Sequence, residues 1–152
     1  MANTQSMCTS FMGELLTGTH NFTASTGDTF KAALYVTTGT YNASTTAYSA
    51  TNEVSGTGYT AGGVTVTNGT SPSSTNTSST AGVAYWTPSA SLTYTSVTLS
   101  TAFDCVLIYN SSKSNKAVSV HTFGSQTVTA GTFTLTMPSN TTSTALIRLA
   151  TT

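Results

Sequence analysis

The densest run of large apolar side chains in the sequence is Phe103-Asp104-Cys105-Val106-Leu107-Ile108-Tyr109-Asn110. Neighbouring side chains of an extended strand point to opposite faces, so Leu107 would face one side of a sheet and Ile108 the other. A short run with large apolar side chains on both faces is typical of a strand that is covered on both sides. We therefore expect this segment to lie in the middle of a sheet, with the rest of the chain arranged around it.

Other short segments show the two-residue period of strands or a brief apolar run. They are residues 30–37, 64–66, 83–86, 92–99, 117–123, 126–129, 133–137 and 145–150. The first alternates and predicts a half-buried strand, whereas the last is almost continuously apolar and predicts a central or inner strand. About seven to nine short strands separated by turn residues favour an all-β fold, either a β-sandwich or a related barrel.

The strand pattern contains two irregular points. The apolar positions in residues 92–94 are out of phase with those in residues 97–99, so a β-bulge near Thr95-Ser96 would keep all of them on one face. Ala130-Gly131 separates two alternating segments, which predicts a turn.

Residues 1–20 are predicted to form an N-terminal arm with one short helix, and residues 21–152 a single β domain. The apolar residues at helical spacing are Cys8, Phe11, Met12, Leu15 and Leu16. Gly18 provides a stop, and Ser6 or Thr4 a cap. Such a helix is marginal alone, so it either packs on its own sheet or docks on a neighbouring subunit.

The polar stretches of the chain differ in their aromatic content. Residues 38–62 contain Tyr41, Tyr48 and Tyr59, and we expect a long excursion that these tyrosines anchor to the sheet. Residues 68–81 contain no large apolar side chain, so we expect an exposed loop there.

The chain has 152 residues, of which only 5% are charged, and its net charge is zero. A typical protein has about 25% charged residues, and a neutral surface lacks the repulsion that keeps monomers apart. This composition favours a subunit embedded in an assembly. A basic patch that would bind nucleic acid and an apolar run that would span a membrane are both absent from the sequence. We also expect no signal peptide, and therefore free thiols at Cys8 and Cys105.

Few residues could carry out chemistry. A triad of His121, Asp104 and a hydroxyl is allowed by composition, but the sequence has no Gly-x-Ser-x-Gly motif. The separate His20 and the distant cysteines lack zinc-site spacing. We expect no catalytic residue, no cofactor and no metal. A carbohydrate-binding module that uses Trp86 or the loop tyrosines stays open.

The most specific motif is residues 46–63, Thr-Ala-Tyr-Ser-Ala-Thr-Asn-Glu-Val-Ser-Gly-Thr-Gly-Tyr-Thr-Ala-Gly-Gly. Before it come a Glu-Leu-Leu helix at residues 14–16 and a Gly-Asp-Thr-Phe-Lys-Ala-Ala-Leu-Tyr strand at residues 27–35. After it come Leu-Ile-Tyr-Asn at residues 107–110 and Ala-Leu-Ile-Arg-Leu-Ala at residues 145–150. In this order, from about residue 10 to 150, the chain resembles tailed-bacteriophage virion proteins of the head decoration or cement type.

The resemblance implies a non-enzymatic structural subunit of a virion, made in the host cytoplasm. On the outside of a phage head, its partners would be the major capsid protein and copies of itself, with a cyclic trimer favoured. The candidate contacts are Phe11, Met12, Leu15, Leu16, Tyr48, Glu53 and Tyr59. The alternative is a host- or glycan-binding β-module on a tail or fibre.

Two charged residues allow specific expectations about pairing. Arg148 is the only strong charge in residues 145–150, and we expect it at the rim of its strand or paired with Asp104 or Glu53. Glu53 itself is either a solvated charge or one half of an intersubunit pair with Arg148 or Lys31.

Overall fold

A computed structural model describes residues 2–75 and 82–151. In these residues the elements are β1 (Ser6–Met7), α1 (Thr9–Leu16), β2 (Phe30–Val36), β3 (Val64–Thr65), β4 (Ser73–Ser74), β5 (Val83–Trp86), β6 (Leu92–Asn110), β7 (Lys116–Leu135) and β8 (Ile147–Ala150). They form a five-stranded sheet in the order β1-β7-β6-β2-β3 and a three-stranded sheet in the order β4-β5-β8. All the pairings between strands are antiparallel. The predicted all-β fold with one short helix is confirmed.

The predicted central strand is the C-terminal part of β6, which lies in the middle of the five-stranded sheet. Val106, Leu107 and Ile108 are fully buried there. Burying an aliphatic side chain of this size stabilises the fold by roughly 1.5–3 kcal/mol. This strand therefore contributes strongly to the core, as its sequence indicates.

The predicted bulge in the N-terminal half of β6 is also confirmed. The register with β7 shifts between Tyr94 and Val97, and Ser96 has a positive φ of 53°. The apolar residues on either side of this bulge are all buried: Leu92, Tyr94, Val97 and Leu99. The extra residue thus keeps the apolar side chains before and after the bulge on the same buried face. Residues 92–110 form one continuous strand.

The predicted turn at Ala130-Gly131 is wrong, because β7 runs through it without a break. Val97 pairs with Gly131 and Leu99 with Val128, so β7 has one extra residue here. Ala130 takes a positive φ of 46°, which is the same backbone signal that a turn would give. Beyond its pairs with β1 at Ser119 and Val120, the outer side of β7 is an edge of the described sheet.

Two predictions of burial are corrected. Strand β8 is an edge strand of the small sheet, where Ile147 is buried but Arg148 and Leu149 are exposed, so it is not an inner strand. Strand β2 is buried on both faces rather than half-buried, because the chain after it returns to cover the second face. Tyr35 of β2 packs against Tyr41 of that returning segment, with ring centroids 3.7 Å apart.

Part of the predicted exposed loop is ordered structure. Ser73 and Ser74 form β4, which pairs with Tyr85 and Ala84 of β5. Residues 76–81 of the predicted loop lie outside the described residues. The sequence did not indicate β4 because its pairing depends on the backbone and needs no apolar side chain.

The arm and α1 join the same core as the sheets. Cys8 and Phe11 are fully buried, and Gly18, with a positive φ of 66°, follows the end of the helix as predicted. The predicted caps are wrong, because Cys8 occupies the N-cap without a side-chain hydrogen bond and Ser6 lies in β1. Both cysteines are free thiols, as predicted. An aromatic cluster connects the helix to both sheets and consists of Phe11, Phe22, Phe30 and Trp86.

Candidate functional site

The outward side of α1 is the most exposed apolar feature of the described chain. Leu16 is 91% exposed and Met12 is 44% exposed, and on nearby β8 Leu149 is 42% exposed. Met12 and Leu16 are four residues apart, so they lie on one face of the helix. We call Met12, Leu16, Leu149 and the groove between α1 and β8 the docking surface.

The groove of the docking surface is about 100 Å³ in volume. Its walls are contributed mainly by Phe11, Leu15, Tyr85, Trp86, Ile147 and Leu149. They come from α1 and from two strands of the small sheet, so the groove follows the line where helix and sheet meet. The lining carries no charged side chain, which suits an apolar partner surface.

The polar side of α1 is held against the sheet by a charge cluster around Glu14. The Glu14 Oε2 accepts a hydrogen bond from His20 Nε2 at 2.7 Å, and its Oε1 accepts one from Lys116 Nζ. Burial alone would raise the pKa of Glu14, but these two hydrogen bonds outweigh it and lower that pKa below its usual value. The cluster fixes the helix so that Met12 and Leu16 face outward.

The charge cluster continues through Asn110 to the β6–β7 hairpin. His20 is fully buried, and its Nδ1 accepts a hydrogen bond from Asn110 Nδ2 at 3.0 Å, so the proton lies on Nε2. Asn110 Nδ2 also donates to Asp28 Oδ2 at 2.8 Å, and Lys113 Nζ lies 3.7 Å from Asp28 Oδ1. Burial would raise the pKa of Asp28, but hydrogen bonds from Asn21 and Asn110 lower it overall. The residues are structural partners of one another.

Glu53 is the centre of a second cluster, which we call the tyrosine cradle. Its Oε2 accepts a hydrogen bond from Tyr48 at 2.7 Å, and its Oε1 accepts bonds from Tyr59 at 2.8 Å and from the Gly62 amide at 2.7 Å. Tyr59 also accepts the Leu34 amide at 3.0 Å. Burial, together with the carboxylate, raises the pKa of Tyr48 and of Tyr59. The carboxylate thus holds three parts of the excursion together, and Tyr59 ties the excursion to β2.

The excursion lies against the sheet more closely than a side chain would allow. Gly58 has a positive φ of 78° and passes the Ser96 carbonyl. Gly63 has a positive φ of 72° and leaves no room for a Cβ beside the Ala32 carbonyl. Glycine is therefore required at both positions, because of the backbone conformation and the close approach. The predicted anchoring of this excursion by tyrosines agrees with these contacts.

The candidate contacts of the sequence analysis divide into four groups. Met12 and Leu16 are exposed, Leu15 is half-buried at the groove, and Phe11, at the base of the same groove, is fully buried in the core. Tyr48, Glu53 and Tyr59 are half-buried and bonded within the chain. They were predicted as capsid or subunit contacts, and that role stays a prediction; within the chain they bond to one another.

The charge pairings expected from the sequence do not form among the described residues. Within the chain Glu53 is bound by tyrosines and an amide and not by Arg148, and the intersubunit pair with Arg148 or Lys31 stays a prediction. Asp104 accepts a hydrogen bond from Asn3 at 2.7 Å. Arg148 is exposed, in agreement with the alternative that placed it at a rim.

The residues considered for chemistry are hydrogen-bonded to other partners and not to each other. His121 Nε2 is 2.8 Å from the Ser119 hydroxyl, whereas Asp104 is bound to Asn3. Within residues 2–75 and 82–151, no group of three His, Cys, Asp or Glu is placed to hold a metal ion. Trp86 is 2% exposed and its Nε1 donates to Asn68 and Thr70, so its ring cannot serve as a sugar platform.

The sequence analysis missed the part of the groove formed by the small sheet. Tyr85 and Leu149 come from strands that the pattern identified but could not place together. Asn110 was also missed, because it ends the central strand and reads as an ordinary polar boundary. The position of His20, two residues after the predicted helix stop at Gly18, was a sequence signal that this side chain could contact the helix.

Comparison of the chain with protein-family models, with curated proteins and with solved structures finds no match. In the described residues, no helix has the length and hydrophobicity that crossing a membrane requires.

Proposed function

We propose that this protein is a non-enzymatic virion structural protein that decorates the outer surface of a phage head and stabilises contacts between capsomers. The observation that carries the proposal is the docking surface, which combines the exposed Met12 and Leu16 of α1 with an apolar groove lined by Leu15 of the same helix. The resemblance of the sequence to decoration proteins supports the same function.

The docking surface is suited to a protein partner because its exposed side chains cost free energy in water. Leu16 is 91% exposed, and covering a leucine contributes roughly 1.5–3 kcal/mol. Contiguous apolar surface on a folded protein is typical of an interaction site. A capsid protein that inserts an apolar side chain into the groove would cover Leu149, which lines it.

The rest of the molecule supports a rigid building block. The charge cluster and the tyrosine cradle use internal partners for Glu14 and Glu53, so these charges do not face the partner. The excursion of residues 38–62 is therefore tied to the sheet through several hydrogen bonds. A rigid subunit loses little conformational entropy when it binds, which favours affinity.

The test is binding of the Met12→Ser, Leu16→Ser double variant to purified phage heads, measured by co-sedimentation. We expect binding to fall at least tenfold, because two exposed apolar contacts are lost. Both side chains are exposed, so the free energy of unfolding should change by less than about 0.5 kcal/mol. Gln126→Ser, at an exposed position on β7, is the matched control and should bind as the wild type does.

Retention of full binding by the double variant would overturn the docking role of α1. Immunogold labelling of intact particles tests the location separately. Label on the head supports the proposal, and label on the tail would contradict it.

A further inference from the structure

A second recess lies between the edges of the two sheets, and Ile147 is common to its lining and to that of the groove in the docking surface. It is about 330 Å³ in volume, which is in the range of small-molecule sites. Its polar and charged lining includes Gln5, Ser6, Ser119, His121 and Arg148. These residues come from the arm with β1, from β7 and from β8, so the recess, which we call the inter-sheet cleft, exists only in the folded chain.

The charge of the inter-sheet cleft is positive. Arg148 is the only arginine in the sequence, and within residues 2–75 and 82–151 it forms no ion pair. The lining contains no carboxylate. A guanidinium presents paired N–H donors that match the two oxygens of a carboxylate. A carboxylate is therefore the group that Arg148 is suited to bind in the cleft.

The wall of the cleft opposite β8 carries a hydrogen-bonded pair. Ser119 Oγ lies 2.8 Å from His121 Nε2, and Ser119 is 2% exposed. Burial lowers the pKa of His121 to about 4, so the ring is neutral at pH 7. If Ser119 donates to Nε2, the Nδ1–H of His121 is free. If Nε2–H donates to Ser119, the hydroxyl proton is free. Either arrangement leaves one donor without a partner among the described residues.

We propose that the inter-sheet cleft binds a small carboxylate that also carries hydroxyl groups, the chemistry of an acidic sugar. Arg148 pairs with the carboxylate, and the unused donor of Ser119 and His121 binds a hydroxyl oxygen. Met7 and Leu146, which also line the cleft, contact the apolar face of the sugar ring. The groups that bind the ligand here do not line the groove of the docking surface, and the site does not depend on the proposed function.

The test is an NMR titration of ¹⁵N-labelled protein with glucuronate, glucose and acetate. We expect saturable shifts at the amides of Ser119, His121 and Arg148 with glucuronate, and a dissociation constant on the order of 1 mM, as suits a few polar contacts. Glucose lacks the carboxylate and should leave these amides unshifted. Equal affinity for acetate and glucuronate would overturn the assignment to acidic sugars.

Two variants distinguish the cleft from a general effect of charge. Arg148→Gln should raise the dissociation constant for glucuronate at least tenfold, since a charge-assisted pair is lost. Lys31→Gln removes the same charge from β2, outside the cleft, and should bind as the wild type does. Arg148 is exposed, so its replacement should leave the spectrum outside the cleft unchanged. If Arg148→Gln titrates like the wild type, or if glucuronate shifts no cleft amide, the proposal is wrong.

Discussion

Glu14 and Glu53 each hold a peripheral segment in place, but they do so by different means. Glu14 ties α1 to β7, and Glu53 fixes the excursion that Tyr59 ties to β2. Glu14 is bound by Lys116 and by the buried His20, whereas Glu53 is bound by two tyrosine hydroxyls and one backbone amide. The charge cluster thus relies on opposite charges, and the tyrosine cradle relies on neutral donors.

This difference determines how each cluster responds to its surroundings. The side chain of Lys116 is 38% exposed, so its attraction to Glu14 is screened by salt. The donors around Glu53 are neutral and fixed by the fold, so salt has little to screen. A protein with few charges can hold a carboxylate with tyrosine because the hydroxyl supplies a hydrogen bond without a second charge to desolvate.

The largest effect is expected from removal of the Glu53 carboxylate. Glu53→Ala leaves the hydroxyls of Tyr48 and Tyr59 and the Gly62 amide without their acceptor. Because each half-buried unsatisfied donor is costly, we expect the free energy of unfolding to fall by about 3 kcal/mol. Urea unfolding followed by circular dichroism measures it. Tyr48→Phe removes one donor and should cost about 1 kcal/mol; an equal loss in both variants would contradict a cradle of several donors.

Acid should destabilise the fold in two steps. Because His121 has a folded pKa of about 4, below its ordinary value of 6.5, the unfolded chain binds this proton first. The free energy of unfolding therefore falls as the pH drops from about 6.5 to about 4. Glu14 and Asp28 have lowered pKa values, so their contribution is present above their unfolded pKa and is lost at still lower pH. Urea midpoints measured from pH 7 to pH 3 follow both steps.

Two variants assign the acid steps. His121→Asn should remove the fall between pH 6.5 and pH 4, and Glu14→Gln should reduce only the lower step. A wild-type stability that is constant from pH 7 to pH 4 would show that His121 is not the titrating group.

A smaller effect separates the two clusters by their salt dependence. Glu14→Gln keeps an acceptor for His20 but loses the attraction to Lys116, so we expect a loss of about 1 kcal/mol at low salt. In about 1 M salt, where the screening length is about 3 Å, that loss should shrink. The loss caused by Glu53→Ala should stay the same. Equal salt dependence of the two variants would remove the distinction between the clusters.

The parts of the fold that follow from side-chain periodicity could be predicted from the sequence. The central strand and the bulge at Ser96 were predictable because large apolar side chains must remain on a buried face. The turn at Ala130-Gly131 was wrongly predicted because a glycine-containing pair occurs both in turns and in bulges, and the sequence does not distinguish the two. The position of β8 was wrong because an apolar run indicates a strand and does not indicate which sheet receives it.

The candidate site could be predicted only in part. The helical spacing identified the apolar face of α1, but this face is wide enough to divide between two tasks, with Phe11 in the core and Leu16 in solvent. The glycines and tyrosines of residues 46–63 predicted a tightly held excursion. Glu53 could not be recognised as its common acceptor, since that role depends on how residues 46–63 fold back on themselves, which no periodicity of this segment indicates.

The unpaired outer side of β7 has a consequence for solubility. Residues 122–135 of this strand contain no lysine, glutamate or proline, the residues that usually prevent one sheet edge from joining another. In their place the strand has repeated shifts of register, which twist the backbone and make straight pairing with another edge difficult. This protein thus protects its sheet from aggregation by the shape of its main chain, and a substitution that straightened β7 would promote fibre formation without touching the core.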